Sequence, residues 1–208
     1  MAKYLLPKGY LSWSQMQVWE TNKGRYRREY FETGKKLDTK YLRFGKSVAE
    51  KIEDGSYKDI LPDLEVYQIP EYKILVTLDG VELLSYVDSY YKPGEPDPNV
   101  FKEVKTGKHP WTQLKVQNHG QLLFYAVGLR IAHGSMPPFC ELDWLETKDT
   151  ERKEKSGFYT EDDKIVLTGK MKTFRRYFDE RELDAMEARI LKNAKEIDEA
   201  YRLFINEI

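Results

Sequence analysis

Between residues 65 and 105 apolar positions alternate with polar ones instead of recurring every three or four. A period of two marks strands that lay one face on a core. Four segments carry it: Glu65–Ile69, Lys73–Leu78, Val81–Tyr91 and Asn99–Lys105. Pro70, Asp79-Gly80 and the Pro- and Gly-rich stretch 92–98 separate them. Asp-Gly supplies the positive φ of a two-residue hairpin turn, so the second and third segments are predicted to pair antiparallel. A chain holding this block must build a sheet, and the rest of the sequence has to cover it.

The cover is helical. Ser12 is placed to cap a helix carrying Trp13, Met16 and Trp19, with Asn22-Lys23-Gly24 as its stop. Phe44, Val48 and Ile52 repeat every four residues between Tyr41 and Glu53 and end at Asp54-Gly55. Thr112 caps a predicted helix from Gln113 to Ile131, and Gly134 with Pro137-Pro138 breaks the chain after it. Phe139–Thr147 and Lys164–Thr173 read as strands around a charged, mobile loop at 148–155. Leu183, Met186, Ile190, Ala194, Ile197, Tyr201 and Phe204 recur at helical steps through one long amphipathic helix. The expected class is α/β (α+β): a central mixed sheet flanked by helices. With 208 residues, 40% of them apolar, the chain reads as one domain with appendages: a helical segment over 1–40, core motifs at about 41–130, and strands and a helix over 136–208.

The formal charge is −1, but Lys and Arg against Asp and Glu give +5 for residues 1–60, −6 for 61–100, +4 for 101–135 and −4 for 136–208. Two basic stretches therefore bracket an acidic one. One cysteine, Cys140, excludes an internal disulfide, and three scattered histidines offer no zinc-ligand spacing. No apolar run is long enough for a membrane span, and a signal peptide is not expected. The expected setting is cytoplasmic, in the host cell if the protein is phage-encoded.

Strand alternation puts Phe101, Glu103 and Lys105 on one face, and a symmetric hairpin about residues 95–96 sets Asp88 opposite Glu103. Two facing carboxylates need a compensating cation, a shared proton or a different register. Mg2+, with Mn2+ as substitute, is the economical cation, because it takes one or two carboxylates and fills the rest with water and phosphate oxygens. Lys105 beside it would orient or help deprotonate an attacking water and offset charge on phosphorus. On the following helix Gln121 and Tyr125 stand four residues apart, where they either satisfy each other or face the site.

Asp88, then Glu103-Val104-Lys105 fifteen residues on, then Gln121-Leu122-Leu123-Phe124-Tyr125 resembles the PD-(D/E)XK nuclease superfamily. More narrowly it is similar to the RecB-type and lambda-exonuclease-like branch. Leu11-Ser12-Trp13-Ser14 and Phe44-Gly45 resemble its N-terminal helix and first motif. The likeness spans roughly residues 11–130. It implies a restriction-endonuclease-like core, Asp88 and Glu103 as metal ligands with the Val104 carbonyl as a third, Lys105 as the catalytic lysine, and Gln121 with Tyr125 supporting the site. Many relatives carry a histidine four residues after the first-motif glycine. Here that position is Ala49, and the neighbouring Glu50 is the expected substitute ligand. The cysteine set of the iron–sulfur subgroup is missing, so no cluster is expected.

The resemblance implies phosphodiester hydrolysis leaving 5′-phosphates, by an exonuclease acting at DNA ends in recombination, repair or phage DNA processing. A structure- or sequence-selective endonuclease, or a silent module binding DNA or protein, are the alternatives. DNA is the expected partner, with a recombination or replication protein and an oligomer as further options. Arg25, Arg27 and Arg28, interleaved with Tyr26 and Tyr30, are either DNA contacts or an ordinary exposed turn. Lys108 and Trp111 follow the catalytic strand where DNA would arrive, and Trp111 is alternatively a core anchor.

Overall fold

Asp79 and Gly80 both take positive φ, 46° and 85°, and join β1 (Ile69–Leu78) to β2 (Val81–Tyr90) in the expected antiparallel hairpin. The computed structural model describes residues 4–34, 38–92, 94–97, 99–150 and 165–207. β3 (Phe101–Gly107) returns antiparallel to β2, β4 (Phe139–Asp149) runs parallel to β3, and β5 (Ile165–Tyr177) closes the sheet antiparallel to β4. The described strands form one mixed sheet in the order β1-β2-β3-β4-β5. A parallel step needs a crossover, and two helices, α4 (Gln113–Gln117) and α5 (Gly120–His133), supply it between β3 and β4.

Both faces are covered. On one, Ile74, Leu83, Val87, Phe101 and Leu142 of the sheet pack with α5, with α1 (Trp13–Thr21) and with the closing helix α6 (Glu180–Asn206). On the other, Phe44, Val48 and Ile52 of α3 (Lys40–Glu53) press onto Leu145, Ile165 and Leu167. The spacing of four that marked α3 in the sequence is thus its buried stripe. Between α1 and α3 lie the short α2 (Lys23–Tyr26) and a π-helical turn, Arg27–Glu32. No helix among the described residues is long and apolar enough to cross a membrane.

The α3-side face also buries charge. Lys102, 3% exposed, sits 2.9 Å from Asp143 and 3.5 Å from Glu141, and Glu141 accepts hydrogen bonds from Tyr67, Lys92 and Arg175. Burial alone would raise the Glu141 carboxyl, but those donors and Lys102 hold it down at about 2.

The structure departs from the sequence reading at three places. Glu65–Ile69 is not a strand: residues 64–68 run as irregular chain, and β1 starts at Ile69 and continues through Pro70. Pro70 is tolerated because β1 is an edge strand and needs no donor on its open side. The helix expected over Gln113–Ile131 is two helices, broken at Asn118-His119. The break lets the Trp13 ring lie against Gly120, where a Cβ would come within 2.3 Å of a ring carbon. His119 then caps α5, its Nδ1 accepting from the Gln121 N–H. Of the charged loop at 148–155, residues 148 and 149 end β4, and 151–155 lie outside the described residues.

Candidate active site

The site forms where β2 and β3 come apart. Their pairing is confined to Ser89–Lys102 and Tyr90–Phe101. The same register, carried one residue further, faces Asp88 with Glu103, as the symmetric hairpin requires. Instead of a ladder bond there, Val104 donates its N–H to Asp88 Oδ2 at 2.6 Å. An extended residue turns its N–H and C=O to the same edge, so the Val104 carbonyl also lies on the edge facing the split.

Asp88, Glu103, Val104 and Lys105 line one cleft of about 480 Å³, roofed by α3 through Leu42, Gly45, Ala49 and Glu53. Lys105 Nζ is ion-paired directly with Glu103 Oε1, which places both on one face of β3 as the alternation predicts. α3 crosses close to β3 at Gly45, where even a Cβ would make only an ordinary contact with Thr106 Oγ1 at 3.7 Å.

The electrostatics of the cleft are those of crowded acids. The Glu103 side chain is 4% exposed. Burial, then the neighbouring Asp88, push its carboxyl up to about 8, against the opposing pull of Lys105. Asp88 is raised as well, chiefly by burial, with Lys105 and the Val104 N–H working the other way. Burial acts to lower the Lys105 ammonium, but Glu103 and Asp88 outweigh it and hold its pKa above the ordinary lysine range. Glu103 Oε2 is buried with no hydrogen-bond partner among the described residues. An orphaned carboxylate oxygen beside a second carboxylate is a donor set that suits a hard divalent cation. Among the described residues no three acidic, histidine or cysteine side chains are already gathered into a metal cage.

Gln121 and Tyr125 line a second pocket of about 260 Å³, with Ser12, Trp13, Ser14 and Ser85, which shares no wall residue with the cleft. Gln121 Nε2 donates to Tyr125 Oη at 2.5 Å, so they do satisfy each other. They also stand near the acids: burial first, then the charge of Glu103, raises the Tyr125 phenol far above its usual range and keeps it protonated. His119, on the same helix cap, is pushed down to about 4 by burial and then by Lys105, and is neutral.

Other expected residues lie elsewhere. Glu50 does not line the cleft: its side chain is 61% exposed and its Oε1 lies 3.6 Å from Lys46 Nζ. One residue step along a helix is about 100°, which turns Glu50 away from the direction of Ala49, while Ala49 and the exposed Glu53 line the cleft. Arg25 pairs with Glu29 at 2.6 Å, and Arg27 with Glu32 at 3.1 Å and Glu207 at 3.4 Å; these two and the exposed Arg28 are absent from both pocket walls. Tyr26 and Tyr30 are buried and stacked on each other, not presented for base stacking. Lys108 does line the cleft and is paired with Asp149. Trp111 is half-buried against the main core, its ring stacked on His119 with Lys115 Nζ 4.0 Å from its centre. Sequence reasoning missed two acids of the cleft wall, Glu53 and Glu71. Glu53 sits four residues after Ala49, exposed at the cleft wall, and was legible from that spacing. Glu71 was not, because it falls just after the proline taken as a strand boundary.

Neither a known family profile nor a curated protein sequence matches the chain. Solved structures do. A protein from Eubacterium rectale described as a candidate exonuclease superposes with a TM-score of 0.51 at 13% identity, covering 91% of this chain and 83% of its own. A phage-related exonuclease from Haemophilus somnus 129PT gives 0.51 at 12% identity, covering 84% and 78%. The Laribacter hongkongensis alkaline exonuclease LHK-Exo, crystallised with dAMP, gives 0.51 at 12% identity over 97% of this chain and 94% of its own. The protein therefore has the fold of these exonuclease structures. The resemblance read from Asp88, Glu103-Val104-Lys105 and Gln121–Tyr125 is borne out at that level.

Proposed function

We propose that the protein is a divalent-metal-dependent nuclease, with an exonuclease acting on DNA ends as the preferred mode and Mg2+ as the natural cation. The observation that carries this reading is the meeting of Asp88, Glu103 and Lys105 in one cleft at the β2–β3 split. The fold shared with exonucleases supports it, and the dAMP bound by one of them makes a nucleotide substrate the natural choice. The single, buried Cys140 suits an intracellular setting.

The reaction is hydrolysis of a phosphodiester: a water oxygen bonds to phosphorus, the P–O3′ bond breaks, and the leaving oxygen takes a proton to become a 3′-hydroxyl. Asp88, Glu103 and the Val104 carbonyl would hold the cation. Bound there, it supplies Lewis-acid polarisation of the scissile phosphate and a lowered pKa for the attacking water. The chain's own groups do the rest. The Asp88 bond to the Val104 N–H ties down the residue whose carbonyl lies on the edge facing the split. Lys105 keeps its proton, since both carboxylates favour the ammonium, so its part is to donate to a phosphate oxygen and offset developing charge rather than to remove a proton from water. Tyr125, held neutral and bonded to Gln121, packs its ring against Phe101 at the start of β3 and adds no charge to the site. Lys46 and Lys108 on the cleft wall would meet further phosphates.

The test is digestion of end-labelled linear DNA beside covalently closed circular DNA in Mg2+, with EDTA in parallel. Loss of the linear form alone supports the exonuclease reading. Cutting of the circle moves the assignment to an endonuclease, and no loss of either form in Mg2+ or Mn2+ removes the catalytic reading.

A further inference from the structure

Glu71 occupies an unusual place. It sits within β1 with φ at +47°, a left-handed conformation that costs a residue with a Cβ and is rare inside a strand. Its flanks pair normally, Pro70 with Ser89 and Tyr72 with Val87, but Glu71 itself makes no ladder pair. The register on either side faces it with Asp88, the residue that the next strand boundary faces with Glu103. Three acids thus form one row across β1, β2 and β3. The backbone departs from the pleat at the outer member of that row, and Glu71 lines the same cleft as the other two. Backbone strain of this kind persists where the surrounding structure imposes it, and it gathers at functional sites.

A row of acids is an electrostatic liability unless something binds it. The second observation is Glu103 Oε2, on a side chain 4% exposed and facing this cleft, buried without a partner. The helix position from which the family resemblance expects a ligand is Ala49, which has no donor atom, and Glu50 beside it faces solvent. The cleft therefore lacks an acid from its roof at that point and gains one from its floor.

We infer that Glu71 is the third acid of the cation site, supplied by the edge strand β1 in place of the helix α3, reaching the cation directly or through a bound water. The inference rests on the nuclease reading above. Magnesium and manganese keep several waters, so an acid standing just outside a ready-made cage is a normal partner for them. The left-handed backbone at residue 71 is then the device that turns this carboxylate toward Asp88.

The test is Mn2+ binding to the full chain without DNA, by titration calorimetry, for wild type, Glu71→Gln, Glu53→Gln, Glu50→Gln and Asp88→Asn. Melting in EDTA checks that each variant folds. Glu71→Gln should weaken binding about 10-fold or more, Asp88→Asn at least as much, and Glu50→Gln should bind as wild type. Glu71→Gly should weaken binding equally while melting about 2–4 °C higher in EDTA, because glycine takes positive φ freely. Wild-type affinity in Glu71→Gln, with Asp88→Asn impaired, overturns the inference and leaves the nuclease site standing; weakening by Glu53→Gln alone returns the third acid to α3. If neither wild type nor any variant binds Mn2+, both this inference and the metal-dependent reading fall.

Discussion

Replacing Glu103 by glutamine should make the metal-free protein more stable, by an amount that grows with pH. The carboxyl sits at about 8 in the fold against an ordinary value of 4.5. A carboxyl raised on folding binds its proton more tightly in the native state. Its contribution is therefore fully present below about pH 4.5 and is lost as pH climbs towards 8. At about 1.36 kcal/mol per pH unit, the loss is roughly 3 kcal/mol by pH 7 and on the order of 5 kcal/mol over the full window. Glutamine removes this term and keeps the shape. His119 works with the opposite sign: burial and Lys105 depress it to about 4, so it costs stability as pH falls below its ordinary range. The difference between wild type and Glu103→Gln cancels His119 and carries the carboxyl together with its pairing to Lys105. Urea unfolding in EDTA between pH 5 and 8 should give curves that nearly coincide at pH 5 and diverge steadily above it, the variant on top. Saturating Mg2+ should narrow the gap, since it stabilises wild type in proportion to its affinity. A gap that does not change with pH, or a variant less stable than wild type at pH 8, would refute the account of Glu103 as a buried acid for which burial and Asp88 outweigh the pull of Lys105.

Three further outcomes are expected. Lys105→Ala should lower the rate of DNA hydrolysis about 10²–10³-fold while Mn2+ affinity, measured by calorimetry, stays within a few-fold of wild type. Gly120→Ala should destabilise the fold by about 1–3 kcal/mol, read from urea unfolding, because the added methyl meets the Trp13 ring that closes α1 onto α5. His119→Gln should flatten the acid limb: wild type loses stability from about pH 6.5 down to 4, where the unfolded chain binds a proton that the folded one refuses, and the variant does not.

Most of this architecture was legible because periodicity and turn chemistry are local. Asp79-Gly80 fixed the hairpin, alternation placed Glu103 and Lys105 on one face, and the symmetry about residues 95–96 put Asp88 at the register that the Ser89–Lys102 and Tyr90–Phe101 pairs display. What escaped depends on contacts distant in sequence. The break at Asn118-His119 answers to Trp13, more than a hundred residues earlier, and the continuation of β1 through Pro70 depends on that strand lying at the edge. Glu71 escaped for the same reason, since the proline read as a boundary is in fact inside the strand. Glu50 shows the reverse error. It was chosen because it follows Ala49, but adjacency in a helix means divergence in direction. The acid of α3 that lines the cleft is Glu53.

The central claim is that Asp88 and Glu103 hold a metal with which this chain hydrolyses DNA. The most direct measurement is the rate of Mg2+-dependent hydrolysis of linear DNA by Asp88→Asn beside wild type, with equal near-ultraviolet circular dichroism to certify the fold. Wild type should hydrolyse the DNA, and the variant should lose about 10³-fold or more of that rate. Hydrolysis by Asp88→Asn at the wild-type rate would contradict the claim.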